Sequence, residues 1–318
     1  MSVKVLALGG SGGMGRFAVS TCMDFDNVEE VIVADINTDA AIAFANSMND
    51  KVSGIGLDVT NIDSLKMQME KVDVVINTVG PFYKYGPPVL ESAIDSSCHY
   101  LDINDDWEPT LEMLQLHDKA ASKSVTAILG MGASPGLTNM LGAAAIQELD
   151  EVKTLYTGWS MDGAAAEEES SQSGVNAAMI HAVQQMTGKV RIQENGKPKM
   201  VKPLKKIEVD LPGFTKFKSR IFGHPEAITF PHHFNTIINS INLAHGSGFV
   251  FLKWIMKLVD WKIISVEKAA NIVQNLSTAI RKELEEEETQ NGDNLNITHS
   301  EDPPPLYACL LYTSPSPR

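Results

Sequence analysis

Short apolar runs alternate with segments of helical length over the first 130 residues or so. The runs are apolar throughout, as is typical of parallel strands that helices cover on both faces. The pattern predicts strands at 3–8, 30–34, 72–79, 99–103 and 125–129. It predicts helices between them at 15–22, 38–47, 62–69, 88–94 and 107–123. This alternation is typical of βαβ units, so we expect a doubly wound parallel sheet of the α/β class.

The pattern changes after Gly130, where a glycine- and proline-containing stretch leads into an Ala-rich helix at 137–148. Strand-like runs at 152–159, 206–209 and 227–230 and a helix at 175–186 predict a second domain of the α+β class. A polar loop at 162–173 and an acidic, proline-containing stretch at 281–305 are expected to be solvated. Residues 309–318 have no helical or strand period, so we expect a non-native tail on a truncated chain. The predicted domains are therefore 1–132 and 133–308, with 309–318 outside the fold.

Charge and cysteine content narrow the function classes. The 26 Lys and Arg residues against 40 Asp and Glu give a net charge of −14, which repels phosphate backbones, so nucleic acid is an unexpected partner. Three widely spaced cysteines without a CxxC pair fit a reducing compartment. The start lacks the features of a secretory signal, and the apolar stretch 249–259 is interrupted by Lys253 and Lys257. We expect a cytoplasmic protein without stable membrane insertion.

A glycine-rich turn follows the first predicted strand and precedes the first predicted helix. Gly10, Gly12 and Gly15 match GxGxxG in the strand, turn and helix context that dinucleotide binding requires. Gly10 permits the tight turn, Gly12 leaves room for a pyrophosphate, and Gly15 lets the helix approach the strand. The amides at the helix start favour phosphate. The residues predicted to bind the cofactor here are Gly10, Ser11, Gly12, Gly13, Met14 and Gly15.

An acidic residue at the end of the second predicted strand supports this prediction. Asp35 lies twenty residues beyond Gly15, where a carboxylate accepts hydrogen bonds from ribose hydroxyls. No Arg or Lys lies between Asp35 and Asp50, and a carboxylate repels a 2′-phosphate, so NAD is favoured and NADP stays open. Short-chain dehydrogenases are disfavoured because no tyrosine here has a Lys four residues later. A methyltransferase is a further doubly wound alternative that fits the third glycine and Asp35 less well.

Three later stretches carry a family resemblance. They are Val75 to Val89 (VINTVGPFYKYGPPV), Ser97 to Ile103 (SCHYLDI) and Gly130 to Asn139 (GMGASPGLTN). Together they resemble the saccharopine dehydrogenase family of the NAD(P)-binding-domain type, over roughly residues 3 to 145. The resemblance implies a Rossmann domain with an inserted α+β substrate domain, and hydride transfer between a nicotinamide and a secondary amine or imine derived from an amino acid or polyamine.

Further site residues follow from these motifs. Val79, Gly80 and Pro81 are placed beside the nicotinamide crevice at the end of the fourth strand. Asp58 and Val59, after a third strand, are expected at the adenine, with a helix N-cap as the equal alternative for Asp58. The sequence predicts an anion-binding helix start at 134–136, for which a hinge is the competing role. The predicted substrate-binding residues are Phe82, Tyr85, Asp106, Ser134, Pro135 and Gly136. For Phe82, packing is an equal alternative.

The proton on nitrogen requires a catalytic group. Tyr83, His99 and Asp102 are the candidates from the first domain, with His232 and His233 as candidates from the second. No metal is expected, since the ligand set of a zinc dehydrogenase is missing. The expected partner is a small-molecule substrate, with a homodimer left open. Two alternatives remain: a dinucleotide-binding protein without turnover, and a lipid-associated reductase of the same family, for which the stretch 249–259 is the only support.

Overall fold

The computed structural model describes residues 2–161, 177–246, 249–275 and 303–311. These residues form two compact units, the first ending at Gly136 and the second beginning at Leu137. The division lies four residues beyond the predicted boundary between 132 and 133. Each unit has its own sheet and its own hydrophobic clusters.

The first unit is a six-stranded parallel sheet with the order β3-β2-β1-β4-β5-β6. Its strands are β1 (Val3–Leu8), β2 (Val28–Asp35), β3 (Val52–Gly56), β4 (Val74–Asn77), β5 (His99–Asp102) and β6 (Ala127–Ile128). Its helices are α1 (Gly13–Cys22), α2 (Thr38–Asn46), α3 (Ile62–Met69), α4 (Phe82–Asp95), α5 (Trp107–Leu114) and α6 (His117–Ser122). The predicted parallel α/β sheet is confirmed, with the strand order of a Rossmann domain.

Helices cover both faces of this sheet, and β1 shows why its sequence is apolar throughout. Leu6 and Leu8 belong to a buried cluster with residues of α3, α4 and α5. The alternate residues Val5 and Ala7 belong to a second cluster with residues of α1 and α2. Because successive side chains of a strand point to opposite faces, both sets must be apolar.

The second unit contains a mixed sheet with the order β10-β11-β12-β7-β13, to which β8 and β9 add a hairpin. Its strands are β7 (Thr154–Ser160), β8 (Val190–Glu194), β9 (Lys197–Val201), β10 (Lys206–Val209), β11 (Phe217–Ile221), β12 (Asn239–His245) and β13 (Leu306–Leu311). Its helices are α7 (Leu137–Gln147), α8 (Ala177–Gln185), α9 (Glu226–His233) and α10 (Phe249–Asp260), and residues 266–275 are also helical. Only β7 and β12 pair in parallel among these strands of the described chain. The predicted α+β class is confirmed.

Several predicted elements differ from the observed ones. The run 227–230 is part of helix α9, where Ala227, Ile228 and Phe230 are buried, so the predicted strand is wrong. A run of four residues, three of them apolar, is too short to distinguish a strand from one turn of a buried helix. The predicted helix at 107–123 is two helices, and α4 begins at Phe82 with Pro87 inside it.

The chain end also departs from the prediction. Residues 309–311 were expected outside the fold, yet they lie in β13, which pairs antiparallel with β7. The apolar run 306–311 is long enough for one strand. The prediction divided this run at residue 309 because the sequence after it has no strand period. The predicted loop at 162–173 and the acidic stretch 281–302 lie outside the described residues. Within the described ranges, no helix is long and apolar enough to cross a membrane.

Candidate dinucleotide-binding site

The strand order sets the position of the site. Strand β1 lies at the centre of the sheet, between β2 and β4, and the order of the strands reverses there. The loops after β1 and β4 therefore lead to helices on opposite faces and leave a crevice at the carboxyl ends of the strands. The predicted glycine loop follows β1, and the predicted Val79–Gly80–Pro81 segment follows β4.

The three glycines of the loop have distinct surroundings. A Cβ atom on Gly15 would collide with the carbonyl oxygen of Gly9, so helix α1 packs too closely on the turn for any side chain. A Cβ on Gly10 would lie 2.8 Å from the Ala7 carbonyl oxygen. At Gly12 the nearest atom would be the Gly9 carbonyl oxygen at 3.4 Å, and Gly12 is exposed. Folding therefore needs glycine at 10 and 15, whereas open space lies over Gly12, where a pyrophosphate is expected.

The start of α1 supplies donors to that space. Gly12 is the N-cap of α1. Because glycine has no side chain, it makes no capping hydrogen bond to the amides of the first turn. The amides of a first helical turn have no partner within the helix and carry a partial positive charge. No acidic residue lies in this first turn to compete with a bound anion. The cradle therefore fits a dinucleotide phosphate.

Asp35 ends strand β2 as predicted and is linked to the glycine loop. Its Oδ2 accepts a hydrogen bond of 2.7 Å from the Ser11 hydroxyl, and its Oδ1 accepts one of 3.0 Å from the Asn37 amide. The carboxylate is part-buried and held between the two loops. This arrangement orients it toward the place where a ribose would follow the pyrophosphate.

Arg16 belongs to the same site and was missed from the sequence. Its Nε donates a 2.7 Å hydrogen bond to the Ser11 carbonyl, and its guanidinium lies 4.9 Å from the centre of the Phe44 ring. It therefore brings a positive charge next to Ser11, the partner of Asp35. The lack of Arg and Lys between Asp35 and Asp50 therefore does not leave the site without a cation for a 2′-phosphate, because Arg16 lies on α1.

Asp58 and Val59 follow strand β3, as predicted. Asp58 Oδ1 accepts hydrogen bonds from the amide and hydroxyl of Thr60, at 2.8 and 2.7 Å, and these bonds lower the pKa of the exposed carboxyl. The N-cap of α3 is Asn61, whose side chain accepts from Ser64 at 3.1 Å. The N-cap alternative for Asp58 is therefore wrong, and the carboxylate remains at the sheet edge near which adenine is expected.

The segment after β4 is held by a buried amide. Asn77 is fully buried, and its Oδ1 accepts a 3.0 Å hydrogen bond from the Val79 amide. Gly80 is exposed, and a Cβ there would meet no atom within 4 Å. Pro81 is the N-cap of α4. The Val79 backbone is thus fixed by Asn77, and the Gly80 backbone is open to solvent.

A polar network extends from Asn77 along the carboxyl ends of β4 and β5. Asn77 Nδ2 donates to the Tyr100 hydroxyl at 3.0 Å, and this hydroxyl donates to Asp102 Oδ2 at 3.0 Å. Burial raises the pKa of Asp102 to about 6 and raises that of Tyr100 well above its ordinary value. Asn77 and Tyr100 were missed, although each is a polar interruption of an apolar strand.

Asp102 also anchors the loop that contains Ser134–Gly136. Its Oδ1 accepts hydrogen bonds from the Gly130 amide at 2.7 Å and from the Asn104 amide at 3.0 Å. The Pro135 ring packs on Gly130, since a Cβ on Gly130 would lie 2.5 Å from Pro135 Cγ. Pro135 and Gly136 are buried and Ser134 is partly exposed. The structure therefore brings the predicted anion-binding segment to the end of β5.

The aromatic residues of α4 separate into two groups. Phe82 is 6% exposed, which favours packing over substrate contact. Tyr83 is 49% exposed, and Tyr85 is partly exposed with Lys84 Nζ 4.8 Å from its ring centre. Asp106 is buried at the start of α5. Tyr83 is thus the most exposed residue of this group.

The structure places the catalytic candidate His99 away from the candidate Asp102. His99 begins strand β5, whereas Asp102 ends it, so they lie at opposite ends of the strand, roughly 10 Å apart at ~3.3 Å per residue. The His99 Nδ1 atom accepts a 3.0 Å hydrogen bond from the Thr126 amide, a structural role. His232 and His233 lie in the last turn of α9, in the second unit, and are exposed.

Comparisons with known proteins agree with this geometry. Residues 5–128 match the family model described as the saccharopine dehydrogenase NADP binding domain. The human saccharopine dehydrogenase-like oxidoreductase is 37% identical over 89 residues, which cover 27% of this chain and 20% of the relative. The rat protein of the same name is 31% identical over 141 residues, covering 42% and 30%. The aligned regions thus span less than a third of the length of these relatives.

A solved structure shares the fold. The apo saccharopine dehydrogenase (L-Glu forming) of Saccharomyces cerevisiae superposes with a TM-score of 0.53 at 19% identity, over 76% of this chain and 55% of the yeast chain. The similarity covers more than the first unit, so the fold likeness includes part of the second. Residues 5–128 therefore form a nicotinamide dinucleotide-binding domain of the type that the family model describes as the saccharopine dehydrogenase NADP binding domain.

Proposed function

We propose that this protein transfers hydride between NAD and a carbon–nitrogen bond, in a secondary amine or imine derived from an amino acid or polyamine. The observation that carries the proposal is the open cradle over Gly12, joined through Ser11 to the carboxylate of Asp35. The match of residues 5–128 to the NADP binding domain of saccharopine dehydrogenases supports the dehydrogenase class. The carbon–nitrogen substrate rests on the names of relatives such as the yeast saccharopine dehydrogenase.

In this proposal the first unit holds the cofactor and orients its ring. The amides of the first turn of α1 bind the pyrophosphate, Asp35 binds the adenosine ribose, and Asp58 and Val59 border the adenine. Val79, Gly80 and Pro81 adjoin the nicotinamide. When bound, the nicotinamide supplies or accepts the hydride, and the protein contributes positioning.

Two groups of the first unit have different roles in handling the substrate. Tyr83 is the proposed proton donor to the nitrogen because its side chain is exposed and carries a hydroxyl. Asp102 is 1% exposed and both its oxygens are engaged, so we propose it as a positioning residue for the loop 130–136. Ser134 and the neighbouring backbone then offer hydrogen-bond donors to a substrate carboxylate.

The choice of NAD over NADP is a balance between Asp35 and Arg16. A carboxylate repels a 2′-phosphate, whereas a guanidinium attracts it. Asp35 is bound directly to the loop by Ser11, and Arg16 is itself held by the Ser11 carbonyl and Phe44. We propose that Asp35 decides the preference for NAD.

Calorimetry of the purified chain with NADH and NADPH tests the cofactor proposal. Asp35→Asn should raise the affinity for NADPH relative to NADH about tenfold, since one repulsive charge near the phosphate is worth ~1.4 kcal/mol. Arg16→Gln should lower NADPH affinity and leave NADH affinity within about twofold. A protein that binds neither coenzyme contradicts the whole proposal.

Turnover requires a separate test, because a dinucleotide-binding protein without activity is the alternative. NADH absorbance is followed with lysine, glutamate or a diamine, each paired with an oxoacid or semialdehyde. Oxidation with one pair supports the proposal, and Tyr83→Phe should then lower kcat while the KM for NADH stays constant. Coenzyme binding without oxidation by any pair favours the alternative.

A lipid-associated reductase is the second candidate, favoured by exposed aromatic side chains on α10. Phe251 and Trp254 are both exposed on this helix, although Lys253 and Lys257 interrupt its apolar stretch. Amphipathic helices with this composition bind at membrane surfaces. Flotation with phosphatidylcholine vesicles distinguishes the candidates. For the first candidate we propose a cytoplasmic location and a small-molecule substrate, which cell fractionation can check.

A further inference from the structure

The second unit has a basic pocket that the proposed reaction does not use. It has a volume of about 290 Å³ and is lined by Lys206, Arg220, Lys253, Trp254 and Lys257. Four of these five residues carry positive charge, in a chain whose net charge is −14. Strands β10 and β11 supply two of the cations, and helix α10 supplies the other two.

Two like-charge pairs converge in this pocket. Lys206 and Arg220 are directly opposite each other on antiparallel strands. Like charges at such positions destabilise a sheet. Lys253 and Lys257 are four residues apart on α10, where like charges also destabilise a helix. Two unfavourable local arrangements at one place indicate a role other than folding.

Within the described ranges, none of the four cations forms an ion pair with a carboxylate. Glu208, the neighbouring acid on β10, is opposite Lys218 instead. Because no described carboxylate pairs with these four cations, an anion from outside would lower the repulsion between them.

Aromatic rings hold two of the cations in place. The Arg220 guanidinium lies 4.8 Å from the Phe249 ring centre, and Lys257 Nζ lies 4.7 Å from that of Trp254. Burial lowers the pKa of Arg220, because its charge is partly desolvated. Trp254 is 60% exposed and presents an apolar wall at the pocket rim. The cations are thus preorganised beside a surface for a ring or an apolar group.

We propose that this pocket binds a small polyanion that carries at least two phosphate ester groups on a compact ring. The volume of about 290 Å³ lies at the lower limit of ligand pockets, roughly 300–1,000 Å³, which favours a small ligand of this kind. Bidentate binding by Arg220 and point-charge binding by the lysines are the usual modes of phosphate recognition. The phosphate ester is either a free metabolite or a lipid headgroup.

Isothermal titration calorimetry with inositol 1,4,5-trisphosphate, and with inorganic pyrophosphate as the minimal probe, tests the proposal. Binding should weaken at least tenfold in Lys253→Gln/Lys257→Gln and in Arg220→Gln, and it should weaken with rising salt. The matched control is Lys202→Gln/Lys268→Gln, which removes two exposed charges outside the pocket. Its affinity should stay within twofold of the parent.

Thermal unfolding of the variants shows whether a loss of probe binding is caused by a folding defect. Without probe, the Lys253→Gln/Lys257→Gln variant should be at least as stable as the parent, because a repulsive pair is removed. With probe, only the parent and the control should show a raised Tm. An equal loss of binding in the control and pocket variants overturns the proposal.

Vesicles distinguish the two sources of the phosphate ester. Phosphatidylcholine vesicles with and without phosphatidylinositol 4,5-bisphosphate are compared with the soluble trisphosphate. Binding to the soluble probe alone indicates a metabolite, and stronger binding to the bisphosphate vesicles, lost in the pocket variants, indicates a lipid headgroup. Absence of binding to every probe overturns the proposal, as does binding to phosphatidylcholine alone that the pocket variants leave unchanged.

Discussion

Gly12 and Gly15 of the glycine loop have different roles, one in cofactor binding and the other in folding. Gly15 permits the contact between α1 and the turn, so its replacement by alanine forces backbone atoms apart. Gly12 is exposed with space above it, so a methyl group there fits the folded protein but occupies the place of a pyrophosphate. Stability and cofactor affinity should therefore separate between these two positions.

Gly15→Ala should lower the free energy of unfolding by roughly 2–4 kcal/mol, because overpacking and backbone shifts are needed to fit the methyl group. Gly12→Ala should change it by less than about 1 kcal/mol and weaken NADH binding at least tenfold. Urea denaturation and calorimetry measure the two quantities. Equal destabilisation by both substitutions would contradict the division of roles.

Asp102 makes a pH-dependent contribution to stability. Its folded pKa of about 6 lies above the ordinary value of 3.8. Between these values the folded protein binds more protons at this carboxyl than the unfolded chain, so stability falls as pH rises through that window, by up to ~3 kcal/mol. Asp102→Asn should lack this fall, which the difference between the two stability curves from pH 3.5 to 7 reveals.

Asp95 gives a control of opposite sign for that experiment. Hydrogen bonds from Lys119 and Lys66 lower its pKa. The stability it contributes is present above pH 3.8 and is lost as pH falls below that value. Asp95→Asn should therefore remove stability near neutral pH. If both asparagine variants changed the curve in the same direction, the burial argument for Asp102 would fail.

At the scale of elements, the hydrophobic pattern predicted several element bounds correctly. Strand β1, helix α3 and strand β10 begin and end where the pattern predicts. The β8–β9 hairpin was missed, although Asn195 and Gly196 form its turn, both with positive φ (52° and 72°). Asn-Gly is a strong hairpin signal.

The candidate site could be predicted only in part, because some of its contacts join residues that are far apart in the sequence. Motifs local in sequence, such as the glycine loop, were found because strand, turn and helix follow one another. The Asn77–Tyr100–Asp102 network joins adjacent strands that are 23 residues apart in sequence at its first hydrogen bond. Arg16 lies on the helix before its neighbour Asp35. Such contacts depend on the strand order, which hydrophobic periodicity does not encode.

The start of helix α3 provides a prediction at this scale. Asn61 caps the helix through its bond to the Ser64 amide, whereas the Asp58 carboxylate accepts hydrogen bonds only from Thr60 among the contacts described. Asn61→Ala should cost about 1 kcal/mol of stability, as loss of a helix N-cap typically does. Asp58→Ala should cost less than half as much in the same urea titration. A larger effect at Asp58 would contradict the cap assignment.

For the whole molecule, the pairing of β13 with β7 brings together segments that are far apart in the chain. The Tyr307 ring packs against the backbone of Gly158, and its hydroxyl lies 2.8 Å from the buried Ser219 Oγ. The ring also makes an edge contact with Phe217, with centres 5.5 Å apart. This one side chain therefore joins three strands of the second sheet.

Tyr307→Ala should destabilise the second unit by about 3–5 kcal/mol, the usual cost of truncating a buried aromatic residue. Tyr307→Phe retains the ring and should cost only ~1 kcal/mol for the lost hydrogen bond. Thermal unfolding of the two variants measures the difference. A Tyr307→Ala variant as stable as Tyr307→Phe would show that β13 contributes little to the sheet.

The same pairing has a consequence for synthesis on the ribosome. Trp159 pairs with Leu306, so β7 is translated 147 residues before the strand that covers it. At ~5–20 residues per second, one edge of β7 waits about 7–30 s for its neighbour. During that interval it can pair with another nascent chain. Chaperones that shield bare strand edges should therefore raise the yield of this protein more than they raise the yield of its isolated first unit.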